Sequence, residues 1–233
     1  MKLTVVIPVY NERKTLSTVV ERVFDALQDL EVEVLVVDDG STDGSGELLQ
    51  ELAARYPISA FIHKSNKGKG AAVRTGLAVA HGEAVVIQDA DLEYDPRELL
   101  LVLAALQPGV DAVFGSRMME RVQGGYTHYV WGGKLLNAWV NFLFRARLTD
   151  AYTGVKLVRT AVLRELRLAS HGFEFEAELV CMLLATGANI VEVPVRYVPR
   201  TFAEGKKIRA RDAWKGVAMV WNVFLRRMIH RVK

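Results

Sequence analysis

Apolar residues in the first half of the chain alternate between two rhythms. Leu3, Val5, Val6, Ile7 and Val9 crowd one short run that stops at Tyr10-Asn11-Glu12, the signature of a buried strand. Across 12–30 the apolar positions Leu16, Val19, Val20, Val23, Phe24 and Leu27 recur at helical spacing. The alternation continues with a strand over 32–37, a helix over 45–56, a strand over 60–63, a helix over 70–81 and a strand over 84–88. A βαβαβαβ order predicts parallel strands joined by right-handed crossovers, with helices on both faces.

The second half is less regular. It predicts a strand over 112–115 ending at Ser116-Arg117, and an aromatic-rich helix over 126–144 after Gln123-Gly124-Gly125. A helix follows over 173–185, then a strand over 190–197 whose Pro194 favours a sheet edge or strand end. A last helix covers 213–232. At 233 residues, with no repeat, low-complexity tract or flexible linker, one α/β domain is expected.

In such a sheet ligands bind beyond the carboxyl ends of the strands. Three of those ends carry polar clusters: Tyr10-Asn11-Glu12, Asp38-Asp39-Gly40-Ser41 and Asp89-Ala90-Asp91. Their convergence on one rim is the main expectation. If the strand alternation persists past residue 88, Asp89, Asp91 and Glu93 face one side and offer oxygen ligands to a hard cation, Mg²⁺ or Mn²⁺. Asp39 is placed to accept hydrogen bonds from a base or ribose, and Asp43 to cap the following helix. Asn66-Lys67-Gly68-Lys69-Gly70 precedes a helix N-terminus, where anions are favoured. It is neither a Walker loop nor a dinucleotide fingerprint, and the missing GxGxxG after the first strand counts against an oxidoreductase.

Charge and cysteine content narrow the class. A net charge of +3 implies no nucleic-acid partner, although basic residues gather near the C-terminus. Cys181, the single cysteine, excludes an internal disulfide framework, is expected to pack as a buried thiol, and fits a reducing compartment such as the cytoplasm. No signal-type segment opens the chain, and no stretch reaches the roughly 18 uninterrupted apolar residues of a spanning helix, so a soluble or peripheral protein is expected. The five histidines show no metal-ligand spacing. Glu174, Glu176 and Glu178 open a helix, where acids are stabilising without chemical duty; one of them becomes a general base only if the acceptor is a hydroxyl.

Taken together, Val6-Ile7-Pro8-Val9-Tyr10-Asn11-Glu12, Val37-Asp38-Asp39-Gly40-Ser41-Thr42-Asp43, Asn66-Lys67-Gly68-Lys69-Gly70 and Asp89-Ala90-Asp91-Leu92-Glu93 resemble the family 2 glycosyltransferases. Gly115-Ser116-Arg117, Thr149-Asp150, Thr153-Gly154-Val155-Lys156 and the stretch from Tyr197 to Lys207 are similar to the branch that acts on polyprenyl phosphates. The resemblance implies a GT-A fold, Rossmann-like, with a mixed central sheet and helices on both faces, over 1–210, followed by a basic amphipathic helix over 211–233. It implies an inverting transfer of a hexose from a nucleotide-diphosphate sugar (GDP-mannose or UDP-glucose type) to a dolichyl or undecaprenyl phosphate. Pro8, Tyr10, Glu12, Asp39, Lys69 and Asp89 would hold the donor. Asp89, Asp91 and Glu93 would hold the metal, Asp91, Arg117 and Arg200 would act in catalysis, and Ser116, Arg117, Lys134, Arg200 and Lys206 would meet the acceptor phosphate. Glu93-Tyr94 stands where the branch carries Gln-His, and Lys134 is the nearest cation where it carries an arginine after Tyr126. A family 2 enzyme with a hydroxyl acceptor, and a nucleotide-sugar-binding protein without turnover, are the alternative readings.

The last helix aligns Trp214, Val217, Ala218, Trp221, Leu225, Met228 and Val232, with Lys215, Arg226, Arg227, Arg231 and Lys233 supplying cations. A basic amphipathic helix bearing Trp suits the cytoplasmic face of an anionic membrane, or docks on the core or another subunit. The oligomeric state is not legible in this pattern.

Overall fold

The computed structural model describes residues 1–119, 127–201, 205, 207 and 210–231, without the side chains of 127–132, 210–213, 230 and 231. The elements are β1 (Leu3–Val9), α1 (Leu16–Ala26), β2 (Val32–Asp38), α2 (Ser45–Arg55), β3 (Ile58–Ile62), α3 (Lys69–Ala78), β4 (Ala84–Ile87) and α4 (Leu99–Ala104), the last preceded by a 3-10 turn at Pro96–Glu98. They continue with β5 (Ala112–Ser116), α5 (Thr127–Phe144), β6 (Lys156–Arg159), α6 (Thr160–Glu165), α7 (Phe175–Thr186), β7 (Ile190–Pro194) and α8 (Ala210–Arg231).

One seven-stranded sheet runs in the order β3-β2-β1-β4-β6-β5-β7. The first four strands are parallel, as the βα alternation predicts. β6 then pairs antiparallel with both β4 and β5, and β7 pairs parallel with β5. β6 escapes the sequence pattern because it has only four residues, Lys-Leu-Val-Arg, of which two are apolar. It nonetheless sits inside the sheet and turns a parallel half into a mixed whole. β7 forms an edge, with Pro194 its last residue, where no ladder donor is missed.

The strands bury both faces. Leu3, Val5, Ile7 and Val9 of β1 join Leu16, Val19, Val20 and Val23 of α1 in one core layer. Val6 points the other way, against Leu35, Ala80 and Val85. Two-sided burial explains why these strands are near-continuous apolar runs. A larger cluster on this second face joins Phe114 of β5 to Val140 of α5, Phe175 and Val180 of α7, and Val220 and Val223 of α8. Cys181 lies in it, fully buried, and burial pushes its thiol up to about 12.

α8 docks through Val220 and Val223, not through the aligned face that the sequence singles out. Trp214, Trp221, Leu225 and Met228 are exposed, while Val232 lies outside the described residues. The stripe that packs is Val220 and Val223, flanked by the partly buried Met219 and Phe224, against the cluster of α5 and α7. Among the described residues no helix is long and apolar enough to cross a membrane.

Candidate active site

Register decides what the rim contains. β1, β2 and β4 point the same way, so Tyr10, Asp39 and Asp89 leave the sheet side by side. β5 is parallel to this set through two antiparallel steps, which brings Ser116 and Arg117 to the same rim. β7 follows β5, carrying Tyr197 and Arg200 there, while β6 starts from the rim at Lys156. Every polar cluster expected at a strand end is therefore on one edge of the molecule.

The tips of β1 and β2 are bolted together. Asn11 N donates to Ser41 Oγ at 2.8 Å, Glu12 N to Ser45 Oγ at 2.9 Å, and Thr42 N to Asn11 Oδ1 at 2.8 Å. Asn11 adopts φ 52°, a left-handed conformation that asparagine tolerates. The N-cap of α2 is Gly44, so Asp43 is not the cap; its carboxylate instead accepts from Ser45 N, Ser45 Oγ and Arg13 N one step earlier. Asp39 is buried, and its oxygens accept from Lys67 N and Gly68 N and meet His63 Nδ1 at 2.7 Å. It thereby sets the glycine-lysine loop. Gly68 has φ 100°, and a Cβ there would lie 2.4 Å from the His171 carbonyl, so only glycine fits.

That loop delivers Lys69, whose ammonium lies 2.6 Å from Asp89 Oδ1 and 2.8 Å from Glu176 Oε1. Glu176 Oε2 is in turn 2.5 Å from Lys156 Nζ, and Lys156 is fully buried and also donates to the Thr153 carbonyl. Burial works against charge on Glu176, yet Lys156 and Lys69 hold its carboxyl down to about 2. Burial likewise opposes the Lys69 ammonium, while Asp89 and Glu176 hold it above its ordinary value. The result is a row of alternating charges, Lys156–Glu176–Lys69–Asp89, leading from the sheet to the rim.

β4 ends at Ile87, so the strand alternation invoked for Asp89, Asp91 and Glu93 does not apply. The segment is a tight turn with Leu92 at φ 60°, a strained backbone for leucine. It sends the three acids to different partners: Asp89 to Lys69, Asp91 to Arg200 Nη2 at 3.0 Å, and Glu93 to Tyr197 Oη and Arg200 N, each at 2.8 Å. The acids still feel one another. Burial, then Asp89 and Glu93, push the Asp91 carboxyl up to about 7 against the pull of Arg200. Arg200 also grips Glu12 with both Nη atoms, at 2.9 and 3.0 Å, and Lys207 reaches Glu12 and the Tyr10 carbonyl.

A pocket of oxygen ligands with surplus negative charge, neutralised by one ammonium and one guanidinium, fits a hard divalent cation. Among the described residues no group of three or more His, Cys, Asp or Glu is arranged to hold a metal by itself. All three acids are engaged, Asp89 by Lys69, Asp91 by Glu93 N and Arg200, and Glu93 by Tyr197 and Arg200 N, so a cation would take Asp89 and Asp91 in exchange for the Lys69 and Arg200 side chains.

On the other side of the rim, Arg117 meets Asp150 through Nε at 2.6 Å and Nη2 at 2.8 Å, with its guanidinium 5.1 Å from the centre of the Tyr197 ring. Ser116 is fully buried and bonds Thr149 Oγ1 at 2.7 Å. Tyr94 is buried beneath, accepts from Gly154 N at 3.1 Å, and packs against Tyr197 at 5.1 Å between ring centres. Gly154 keeps Asp89 free of steric conflict, since a Cβ there would meet Asp89 Oδ2 at 2.5 Å. Glu178 accepts from Ala169 N and Ser170 N, and Glu174 from Gly172 N. Glu174 and Glu178 are thus tied to the backbone around the start of α7.

Of the expected residues, Tyr10, Glu12, Asp39, Lys69, Asp89, Asp91, Glu93, Ser116, Arg117 and Arg200 lie around this rim, with Pro8 in the last turn of β1 below it. Lys134 is on the exposed side of α5, and Lys206 lies outside the described residues. Residue-type reasoning missed Lys156 as a charge partner, Tyr94 as a floor and Asp150 as the anchor of Arg117. The first had no local signal, because β6 leaves no periodicity of its own.

The family model for Glycosyl transferase family 2 matches residues 4–167, more than half of the chain. The chain belongs to this family. The glycosyltransferase is 32% identical over 212 residues to the dolichol-phosphate mannosyltransferase of Pyrococcus furiosus, covering 88% of this chain and 59% of that protein. It is 35% identical over 214 residues to the polyprenol monophosphomannose synthase of Mycolicibacterium smegmatis, covering 87% and 79%. It thus spans less than two thirds of the first relative and most of the second. Its fold matches mannosyl-3-phosphoglycerate synthase from Rubrobacter xylanophilus with a TM-score of 0.74 at 20% identity, over 94% of this chain and 73% of that one. Glucosyl-3-phosphoglycerate synthase from Mycobacterium tuberculosis, solved with Mn²⁺, UDP and phosphoglyceric acid, matches with a TM-score of 0.73 at 20% identity, over 96% and 78%. The glycosyltransferase has the GT-A fold expected of its motifs.

Proposed function

We propose that this glycosyltransferase moves a hexose from a nucleotide-diphosphate sugar to a polyprenyl phosphate, with inversion and with Mg²⁺ or Mn²⁺. The observation that carries the acceptor is the state of the glutamates at the start of α7. Glu176 is locked between two lysines with its carboxyl held down to about 2, and Glu174 and Glu178 are tied to backbone N–H groups. Both oxygens of Glu176 and both of Glu178 are thus engaged, which argues against either as the base for a hydroxyl. A phosphate monoester needs no such base, being already ionised with a second pKa of about 6. The names of the Pyrococcus and Mycolicibacterium relatives support the same reading.

In this scheme Pro8, Tyr10, Glu12 and Asp39 frame the nucleoside, Asp39 acting also through the loop it orders. Asp89 and Asp91 hold the cation, and Lys69 reaches the diphosphate. The cation supplies Lewis-acid stabilisation of charge on the departing diphosphate. Arg117 and Arg200, with Lys134 and Lys206, supply the cationic side of the acceptor phosphate and Ser116 a neutral hydroxyl, and guanidinium forks suit that shape. Arg200 leaves Glu12 and Asp91 to do so.

The same reading places the protein on a membrane's cytoplasmic face. Leu135 and Phe142 of α5 and Trp214, Trp221, Leu225 and Met228 of α8 are exposed, and Trp139 stacks on Trp221 at 5.9 Å. Exposed aromatic and aliphatic side chains beside Arg226 and Lys215 suit the boundary of an anionic bilayer.

The test is turnover by the purified chain with GDP-mannose and UDP-glucose, offered in parallel undecaprenyl phosphate, dolichyl phosphate and the corresponding free alcohols. Transfer to the phosphates alone is expected. Transfer to the alcohols, abolished by Glu176→Gln with donor binding intact, refutes the acceptor assignment and supports a hydroxyl acceptor.

A further inference from the structure

The row Lys156–Glu176–Lys69–Asp89 is more than packing. Lys156 is fully buried in β6, and its only anionic neighbour within ion-pair range among the described residues is Glu176. Glu176, 7% exposed, divides its two oxygens between Lys156 at 2.5 Å and Lys69 at 2.8 Å. Lys69 in turn stands between two carboxylates, one fixed in the core layer and one at the rim. A buried lysine is costly to keep charged unless paired, so β6 and α7 are committed to holding this glutamate in place. The glutamate faces the lysine that faces the rim.

A divalent cation held by Asp89 would compete for that carboxylate with the Lys69 ammonium, which lies 2.6 Å from it. If Glu176 is the fixed end of the row, Lys69 keeps a partner when it gives up Asp89, and its remaining protons are free for an oxygen of the donor diphosphate. Without Glu176, Lys69 has Asp89 as its sole counter-charge and competes more strongly with the cation.

We propose that Glu176, held by Lys156, is a positioning residue of the transfer site: it tethers Lys69 so that this lysine can exchange Asp89 for a donor phosphate oxygen when a divalent cation takes Asp89. The inference rests on the donor site assigned above and adds the residues that govern it. Partners behind metal ligands commonly change metal affinity 10–100-fold when removed.

The experiment measures Mn²⁺ affinity of the full chain by electron paramagnetic resonance without donor, and UDP and GDP affinity in saturating Mn²⁺ by calorimetry. Lys69→Met frees Asp89, so Mn²⁺ is expected to bind about three- to tenfold tighter, while nucleoside diphosphate binds about tenfold weaker. Glu176→Gln is expected to act with the opposite sign on the metal, weakening Mn²⁺ about tenfold. Because a single change strands a buried lysine, the pair Lys156→Met with Glu176→Leu is measured alongside; it leaves no uncompensated charge in the core and is expected to weaken Mn²⁺ to the same extent. A merely structural glutamate would lower the melting temperature and leave the affinity of the folded protein unchanged. Wild-type affinity in both glutamate variants, or weaker metal binding in Lys69→Met, overturns the proposal while leaving the donor site standing. A wild-type chain that takes up neither Mn²⁺ nor either nucleotide overturns both.

Discussion

Removing Asp150 tests the acceptor side of the rim most directly. Asp150 is 4% exposed and receives three hydrogen bonds from Arg117, from its backbone N at 3.1 Å, Nε at 2.6 Å and Nη2 at 2.8 Å. Both oxygens of Glu192 are already taken by the backbone N–H groups of Thr149 and Asp150, at 2.6 and 2.8 Å. Asp150→Ala therefore leaves a largely buried cation without its counter-ion, at a cost of about 3–5 kcal/mol. Unfolding entropy of about 2.1 cal/mol/K per residue gives about 0.5 kcal/mol/K for a chain of this length, so the melting temperature is expected to fall by about 6–10 °C. The double change Asp150→Leu with Arg117→Met removes both charges and is expected to recover most of that loss, to within about 2 kcal/mol of wild type. Transfer to polyprenyl phosphate stays abolished in the double variant, since the guanidinium is gone. Differential scanning calorimetry and a radiolabelled transfer assay read the two quantities separately. If the single variant melts within about 2 °C of wild type, or the double variant melts lower still, the pair is not the buried, mutually dependent unit described here.

Three further outcomes are expected. Burial raises the Glu33 carboxyl, but hydrogen bonds from His81 N, Thr4 Oγ1 and the His81 ring outweigh it and hold the group below its ordinary 4.5. A depressed carboxyl stabilises above its unfolded pKa, so melting curves of wild type and Glu33→Gln should differ at pH 6 and converge as pH falls below 4.5 towards the folded value; a gap that persists at pH 2 refutes this. Gly154→Ala places a methyl against Asp89 Oδ2 and the Tyr94 ring, and should cost about 1–3 kcal/mol and weaken Mn²⁺ uptake, which normal titration curves would disprove. Replacing Leu135, Phe142 and Trp214 by serine removes exposed apolar area without touching the core, so the melting temperature should hold while flotation with anionic liposomes drops about tenfold or more; unchanged flotation defeats the membrane reading.

Much of the site was legible before the fold. Acids at the ends of three apolar runs had to meet once the runs were parallel strands, and the register places the tips of β1, β2 and β4 side by side. The legible part ends where local pattern ends. Asp89, Asp91 and Glu93 looked like one strand face, yet the turn at Leu92 splits them among Lys69, Arg200 and Tyr197. Asp39 looked free for a ligand, and its oxygens also organise the loop at Lys67 and Gly68. β6 was invisible because two apolar residues make no periodicity, although it carries the buried lysine of the charge row.

The sequence alone determined the elements of the first half, their parallel order and the chemistry at their tips. Strand periodicity and strand-end composition are local properties, and a βα alternation leaves one handedness of connection. Tertiary structure alone decided which charges meet. Lys69 touches Glu176 across more than a hundred residues, and Arg200 reaches Glu12 from the far end of the chain. Such pairings follow from register and from a short antiparallel strand placed between two others. None of these has a signature within a window of a few residues, because each is the outcome of packing the whole sheet at once.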